Sequence, residues 1–424
     1  MKILHINKFF WQSGGVERYM FEVSAHLQER GHESIFFAMQ HPRNRSCAQE
    51  RYFVSQIEYR DTSLFYKVRT TPKTVAKTVY SIESRRKMEA LLQAERPDLA
   101  HVHLISHQIS PSILPVLKRF GIPVVQTVHE YKRVCPSAQL YIHHKGEICE
   151  RCLGGNYLHA IAQRCVKGSL AGSTLAAAAQ YVHRWSGLYD NQIDRYIAPS
   201  RFMARKLAEG GVDASSVRVL PYVLNLDGYA PRHAPGDYAL FFGRVSPEKG
   251  IDTLLHAMKS LPSLPLRIVG EGPARPALEE IARKNALTQV EFCGYRDGDE
   301  LKELIRNAAF VVVPSVWLDN SPLVIYEAYA LGKPVIASDI GGIPELVEPE
   351  VTGLLVPPGD PAALAEAMRH LAQEPARIEA MGRRARERIE GICASHYAGL
   401  MEIYAEAGRC HEEPNVAPER SNGS

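Results

Sequence analysis

The chain has 424 residues, 45% of them apolar, and a formal net charge of only +3. That length exceeds the roughly 250–300 residues one core usually supports, so two domains are expected. No uninterrupted apolar run of about 18 residues occurs, so no membrane-spanning helix is expected.

The charge is unevenly spread. Residues 1–200 hold 26 Lys and Arg against 16 Asp and Glu, a balance of +10, and residues 201–424 hold 24 against 31, a balance of −7. A basic N-terminal half suits an anionic acceptor or an anionic membrane face. No nucleic-acid motif accompanies the charge, so nucleic acid is not expected as a partner.

Ile3 to Ile6 reads as a first strand with Lys8 close behind it, not as a secretion signal, and a cytoplasmic protein is expected. Ser13-Gly14-Gly15-Val16-Glu17-Arg18 leads into a helix with apolar Tyr19, Val23 and Leu27, and Ser34 to Ala38 makes the next strand. Gly14 and Gly15 stand at the helix N-terminus, where backbone approaches a ligand closely and negative charge is favoured. The turn is not a G-x-G-x-x-G fingerprint, so a nicotinamide enzyme is disfavoured.

From Tyr59 to Lys87, eight basic residues interleave with Phe65, Val68, Val75, Val79 and Tyr80. A solvated helical face and a stretch resting on an anionic membrane are both open. Asp98 to His103 and Ile122 to His129 are further strands. His129 ends its strand at the carboxyl side, where α/β folds place chemistry. His101, His103 and His107 read as structural.

Cys135, Cys149, Cys152 and Cys165 fall within 31 residues, with His143 and His144 among them, in a segment with few helix or strand signals. A C-x-x-C with two flanking cysteines can wrap a tetrahedral structural zinc, and free thiols in an insert are the alternative. Disulfides are disfavoured in a reducing cytosol. Ser169 to Gln180 is alanine-rich and reads as a helix. Tyr196 to Ser200 reads as the last strand of the first domain, with Ser200 capping the helix that follows.

Residues 225–237 read as a linker, and Tyr238 to Arg244 opens the second domain. The run Gly243-Arg244-Val245-Ser246-Pro247-Glu248-Lys249-Gly250 places two fixed cations beside a helix N-terminus, which suits a diphosphate. Leu266 to Pro273 and Val290 to Tyr295 are strands with glycine turns. Asp297-Gly298-Asp299 reads as a helix cap. Phe310 to Val313 is a buried strand, a loop holds Asp319, a helix from Val324 to Leu331 holds Glu327, and Val335 to Ala337 is the next strand. Helices are expected near Pro361–Gln373 and Pro375–Glu390 and from His396 to Ala407, with loose chain from about Gly408.

Four of these segments, in order, resemble the retaining GT-B glycosyltransferases of the large group 4 family. They are the Gly14-Gly15 turn, Thr127-Val128-His129-Glu130-Tyr131 (the family's T-x-H-D), the G-R-x-x-x-x-K-G run, and the E-x7-E segment. In the last of these Asp319 replaces the first glutamate, one methylene shorter. The resemblance implies an α/β fold of GT-B type, with two Rossmann-like doubly wound domains facing a central cleft. Residues 1–224 would form an acceptor-binding domain with a cysteine-rich insert at 135–165, and 238–392 a nucleotide-sugar domain. Residues 393–407 would be a helix crossing back, and 408–424 a loose tail.

The resemblance further implies Glu327 for the nucleotide ribose, and Asp319 with Asn320, Ser321, Pro322, Leu323 and Val324 for the donor sugar and its phosphates. It implies Gly243, Arg244 and Lys249 for the diphosphate, and Gly294, Tyr295 and Arg296 for the base, through backbone groups. His129 would lie beside the donor sugar, with Gly14 and Gly15 facing the donor phosphate. The donor would be a UDP- or GDP-sugar and the acceptor a glycan or lipid-linked hydroxyl, with no cofactor or metal for catalysis. The setting would be cell-surface polysaccharide synthesis, in the cytoplasm or on the inner face of the membrane. The alternatives are another GT-B enzyme, an epimerase or a phosphorylase, and a non-catalytic sugar-nucleotide-binding partner.

Overall fold

The computed structural model describes residues 1–56, 79–106 and 108–412. Residues 59–78 of the basic stretch, His107 and the last twelve residues lie outside that set. In chain order the strands are β1 (Lys2–Ile6), β2 (Glu33–Phe37), β3 (Leu99–Val102) and β4 (Val124–Thr127). A two-stranded hairpin follows, β5 (Tyr141–Ile142) with β6 (Glu147–Ile148), then β7 (Arg195–Ala198) and β8 (Val217–Val219). The second half has β9 (Ala239–Phe242), β10 (Leu266–Val269), β11 (Val290–Gly294), β12 (Phe310–Val313), β13 (Val335–Ser338) and β14 (Gly353–Val356).

Two six-stranded sheets result, ordered β2-β1-β3-β4-β7-β8 and β11-β10-β9-β12-β13-β14. All their pairings are parallel. Strands β3, β4, β9, β12 and β13 are buried at every residue, as expected where helices cover both faces of a parallel sheet. The strand order reverses between β1 and β3 in the first sheet and between β9 and β12 in the second. Ligands of open α/β sheets bind outside the carboxyl ends at such points. The segments singled out above follow β1, β4, β9 and β12, so three of them stand at these points and the one after β4 lies one strand away from the first.

Two local expectations differ from the structure. The C-terminal helices are one continuous helix, Pro375–Glu412, that also takes in the start of the expected loose tail. Between Glu390 and His396 only Gly391 is a helix breaker, and one interior glycine costs about 1 kcal/mol. Burial of Ile389, Leu400, Ile403, Tyr404 and Ala407 along the helix outweighs that. Its far end lies on the first sheet, where Glu406 pairs with Arg195 at 2.8 Å. The cysteine-rich segment is also more regular than expected, holding the β5–β6 hairpin and a short helix, Leu158–Ala162. Among the described residues no helix is long and apolar enough to cross a membrane.

Candidate active site

In the second sheet, β9 runs into Gly243-Arg244, a tight turn at Pro247–Lys249 and the helix Ile251–Met258. Gly250 joins turn to helix at φ +67°, and a Cβ there would stand 1.9 Å from the Pro314 carbonyl oxygen. Glycine therefore lets this turn close against the loop after β12. Lys249 reaches into that loop, its Nζ 2.6 Å from Asp319 Oδ2. The same oxygen accepts from Ser315 Oγ and Trp317 Nε1, each at 3.2 Å. Asp319 is buried. It is a carboxylate held inside its own loop, and it fixes the ammonium of Lys249. Arg244 is exposed, and its side chain makes no hydrogen bond or ion pair among the described residues.

Glu327 lies buried on the helix Leu323–Ala330, and its Oε1 accepts from Nη1 of Arg18 on the helix behind Gly14-Gly15. Nη2 of Arg18 donates to the Tyr229 hydroxyl. Burial works against the Arg18 charge, but the Glu327 carboxylate and the Tyr229 hydroxyl together outweigh it and hold the guanidinium pKa above its ordinary value. One turn on, Glu22 accepts from the Asn225 amide at 2.9 Å.

The glycine turns close on the same place. A Cβ on Gly15 would stand 3.0 Å from Leu323 Cδ1, and one on Gly243 would stand 3.7 Å from Val324 Cγ1. Asn320 ties this loop to the first sheet, accepting from Ser200 Oγ at 2.9 Å and donating to the Val128 carbonyl at 3.3 Å. Ser321 Oγ lies 2.9 Å from the Tyr326 hydroxyl. Gly15, Gly243, Lys249, Asp319, Glu327 and the loop Asn320 to Val324 thus share one region between the sheets.

Along the second sheet, β9, β10 and β11 end on adjacent glycines. The Gly243 amide bonds the Val269 carbonyl at 3.0 Å and the Gly270 amide the Gly294 carbonyl at 2.8 Å. Tyr295 beyond them is 63% exposed, and its hydroxyl donates to Asp297 Oδ2 at 3.1 Å. This corrects the cap reading of Asp297-Gly298-Asp299. Asp297 precedes the helix Gly298–Arg306 but makes no capping hydrogen bond, because the Tyr295 phenol takes its carboxylate.

His129 is bonded on both ring nitrogens within the protein, Nε2 to His103 Nδ1 at 3.1 Å and Nδ1 to the Tyr222 hydroxyl at 2.8 Å. Burial pushes its pKa down to about 3, so its ring is neutral and not a cation. Behind it, His5, His101 and His103 bring ligand-type atoms within 4.8 Å of one another. Metal binding does not fit them: both His101 nitrogens are engaged, by Tyr404 at 2.8 Å and Thr127 at 2.7 Å.

This stack makes stability acid-sensitive. Burial lowers His5 and His396 to about 3 and His101 and His103 well below the usual value. The unfolded chain therefore binds these protons first, near pH 6.5, so the stabilisation is complete above that pH and is lost below it. Each of these four, and His129 with them, contributes a slope of about 1.4 kcal/mol per pH unit there. Urea unfolding midpoints are expected to hold between pH 8 and 7 and drop steeply from pH 6.5 to 5. A flat profile to pH 5 would mean that the imidazoles protonate in the folded state.

The four cysteines of the insert are free thiols near enough to feel one another's charge. Burial first, then the neighbouring thiols, push Cys152 up to about 12 and Cys165 up to about 11. The sulfurs of Cys135, Cys149, Cys152 and Cys165 do not close as a tetrahedral site would. Among the described residues, the histidine trio above is the one group of three or more ligand atoms within 4.8 Å of one another. As placed, the thiols do not fit the zinc that their spacing suggests.

Family models match both halves of the chain, residues 13–227 as "Glycosyltransferase Family 4" and residues 232–388 as "Glycosyl transferases group 1". The chain belongs to glycosyltransferase family 4. Its relatives include the D-inositol 3-phosphate glycosyltransferase of Nocardia farcinica, 34% identical over 51% of this chain and 53% of that one. The family 4 chain thus spans about half the length of that relative. The GDP-mannose-dependent alpha-mannosyltransferase of Mycobacterium tuberculosis is 27% identical over 89% of each chain. In structure, the Anabaena protein HepE in complex with UDP-glucose superposes with a TM-score of 0.63 at 18% identity, covering 96% of this chain and all of that one. The fold is GT-B.

In this family 4 chain the sequence marks Arg18 only as part of a helix start and carries no local signal for Tyr229. The one local signal was a cation placed three residues after the Gly14-Gly15 turn. Its partner lies 309 residues away.

Proposed function

We propose that the chain is a retaining, metal-independent glycosyltransferase that moves a sugar from a nucleotide diphosphate sugar to a hydroxyl of a glycan or lipid-linked acceptor. The observation that carries this is the pairing of Lys249 with Asp319, beside Glu327 at the carboxyl ends of β9 and β12. Glu327 would accept from the ribose hydroxyls, and the amides of Asn320 to Val324 would face the sugar and phosphates. Lys249 and the exposed Arg244 would offset the charge that grows on the leaving diphosphate, the part a metal would otherwise play. The bond from the anomeric carbon to the phosphate oxygen breaks, the acceptor oxygen bonds that carbon from the same face, and the departing phosphate takes the acceptor's proton. Neutral His129 positions the donor sugar. Cell-surface polysaccharide synthesis, and contact with an inner membrane face through the basic stretch, belong to the same reading.

HepE is solved with UDP-glucose and the Mycobacterium tuberculosis relative is named for GDP-mannose, so both bases are candidates for the donor. A thermal-shift panel of UDP, GDP, ADP and their common sugar conjugates tests the reading. One nucleotide at 100 times its Kd is expected to add about 2.7 kcal/mol and raise the melting temperature by a few degrees. The gain should disappear in Lys249→Ala. No shift with any of them would sink the donor assignment.

A further inference from the structure

The cysteine-rich insert has no part in the function proposed above, yet it touches the site. The tip of the β5–β6 hairpin carries His143, and its Nδ1 lies 3.6 Å from Glu248 Oε2 in the turn Pro247–Lys249. The hairpin belongs to the first half of the chain, and the Glu248 turn follows β9 in the second.

Glu248 is built into its turn. Its side chain is 7% exposed and its Oε1 accepts from Ser246 Oγ at 2.6 Å. Its carbonyl accepts from the Val316 amide at 3.0 Å, which joins the turn to the loop of Asp319. Its Oε2 is buried and makes no hydrogen bond within the described residues. A buried carboxylate oxygen without a donor is costly, and the imidazole of His143, 3.6 Å away, is a group that can supply one.

His143 is held for this task. Gln139 Oε1 sits on its Nε2, and Tyr141 stands edge-on to its ring at 5.2 Å between centroids. Burial first, then the charges of Glu248 and Asp252, push the Tyr141 hydroxyl pKa up. The module is anchored behind by Lys206, whose Nζ is 2.8 Å from Glu150 Oε1.

We propose that the insert is a positioning element for the donor site, in which His143 sets the turn through Glu248 and thereby the placement of Lys249 on the donor diphosphate. Neighbouring residues of so tight a turn point different ways: Glu248 faces the insert and Lys249 faces Asp319. A shift at one therefore moves the other. The inference rests on the reading of Lys249 as a diphosphate ligand.

Calorimetric titration of UDP and of GDP into the full chain tests it, on wild type, His143→Ala, His143→Asn, Glu248→Gln, the double variant His143→Ala with Glu248→Gln, and Lys249→Ala. His143→Ala and Glu248→Gln should each weaken the nucleotide that the wild type binds about tenfold, and the double variant no further than either alone. Asparagine places an amide N–H near the position of Nδ1, so His143→Asn should bind within about twofold of wild type. A fold defect in the module would not be rescued in this way. If His143→Ala binds like wild type while Lys249→Ala loses binding, the inference is overturned and the diphosphate reading stands. If Lys249→Ala also binds like wild type, or the wild type binds neither nucleotide, that reading fails and takes the inference with it.

Discussion

Replacing Lys249 with alanine is expected to lower sugar transfer by ~100-fold or more, the scale on which a positioned charge acts at a leaving group. The expectation rests on geometry. Lys249 is pinned 2.6 Å from Asp319, which two neutral donors hold in turn, so its ammonium does not need to be ordered when the donor arrives. The same change leaves Asp319, 6% exposed, without its cation, so some loss of stability accompanies the loss of rate. The double variant Lys249→Ala with Asp319→Asn removes both charges and separates the effects, because it should regain stability and stay slow. Glu327→Ala should lose rate on a similar scale. Nucleoside diphosphate release from UDP-glucose or GDP-mannose measures both. Near-normal turnover in Lys249→Ala and Glu327→Ala would remove these residues from the donor site.

Arg18→Ala is expected to be the most damaging change outside the second sheet. It strands Glu327 as a buried carboxylate whose remaining neighbours include no cation from the first helix. Breaking a buried pair from one side costs about 3–5 kcal/mol, and these side chains are 22% and 11% exposed, so a loss of roughly 2–3 kcal/mol is expected. Nucleotide affinity should fall as well, by about tenfold, since an unpaired Glu327 no longer presents a fixed acceptor to the ribose. Adding Glu327→Gln to Arg18→Ala removes the stranded charge and should restore the melting temperature without restoring affinity. An Arg18→Ala protein as stable as wild type, with unchanged UDP or GDP binding, would show that the pair does neither job.

Much of the architecture could be read from the chain because its signals are local. Phe310 to Val313 and Val335 to Ala337 are apolar runs of strand length between turn residues, and both are buried strands. The Gly-Arg and Lys-Gly pairs mark the end of a strand and the start of a helix, and they stand there at β9 and the helix Ile251–Met258. The eight-residue step from Asp319 to Glu327 crosses from loop to helix, as Pro322 and the apolar run behind it require. Local signals failed where two of them competed. At Gly391 the breaker lost to burial further along the helix, and at Asp297 the cap lost to the Tyr295 phenol.

The sequence by itself determined the two parallel-sheet units, the family, and which residues end the strands at the cleft. It could do so because strand and helix periods, glycine turns and the spacing of charges are properties of a few consecutive residues. Only the tertiary structure decided the partners. Arg18 on Glu327, His143 on Glu248, Asn320 on Ser200 and Val128, and the neutral stack behind His129 each join segments far apart in the chain. Such pairings depend on how one sheet closes against the other or how distant strands lie side by side. A charge or an imidazole in a sequence carries no record of what it will be buried against.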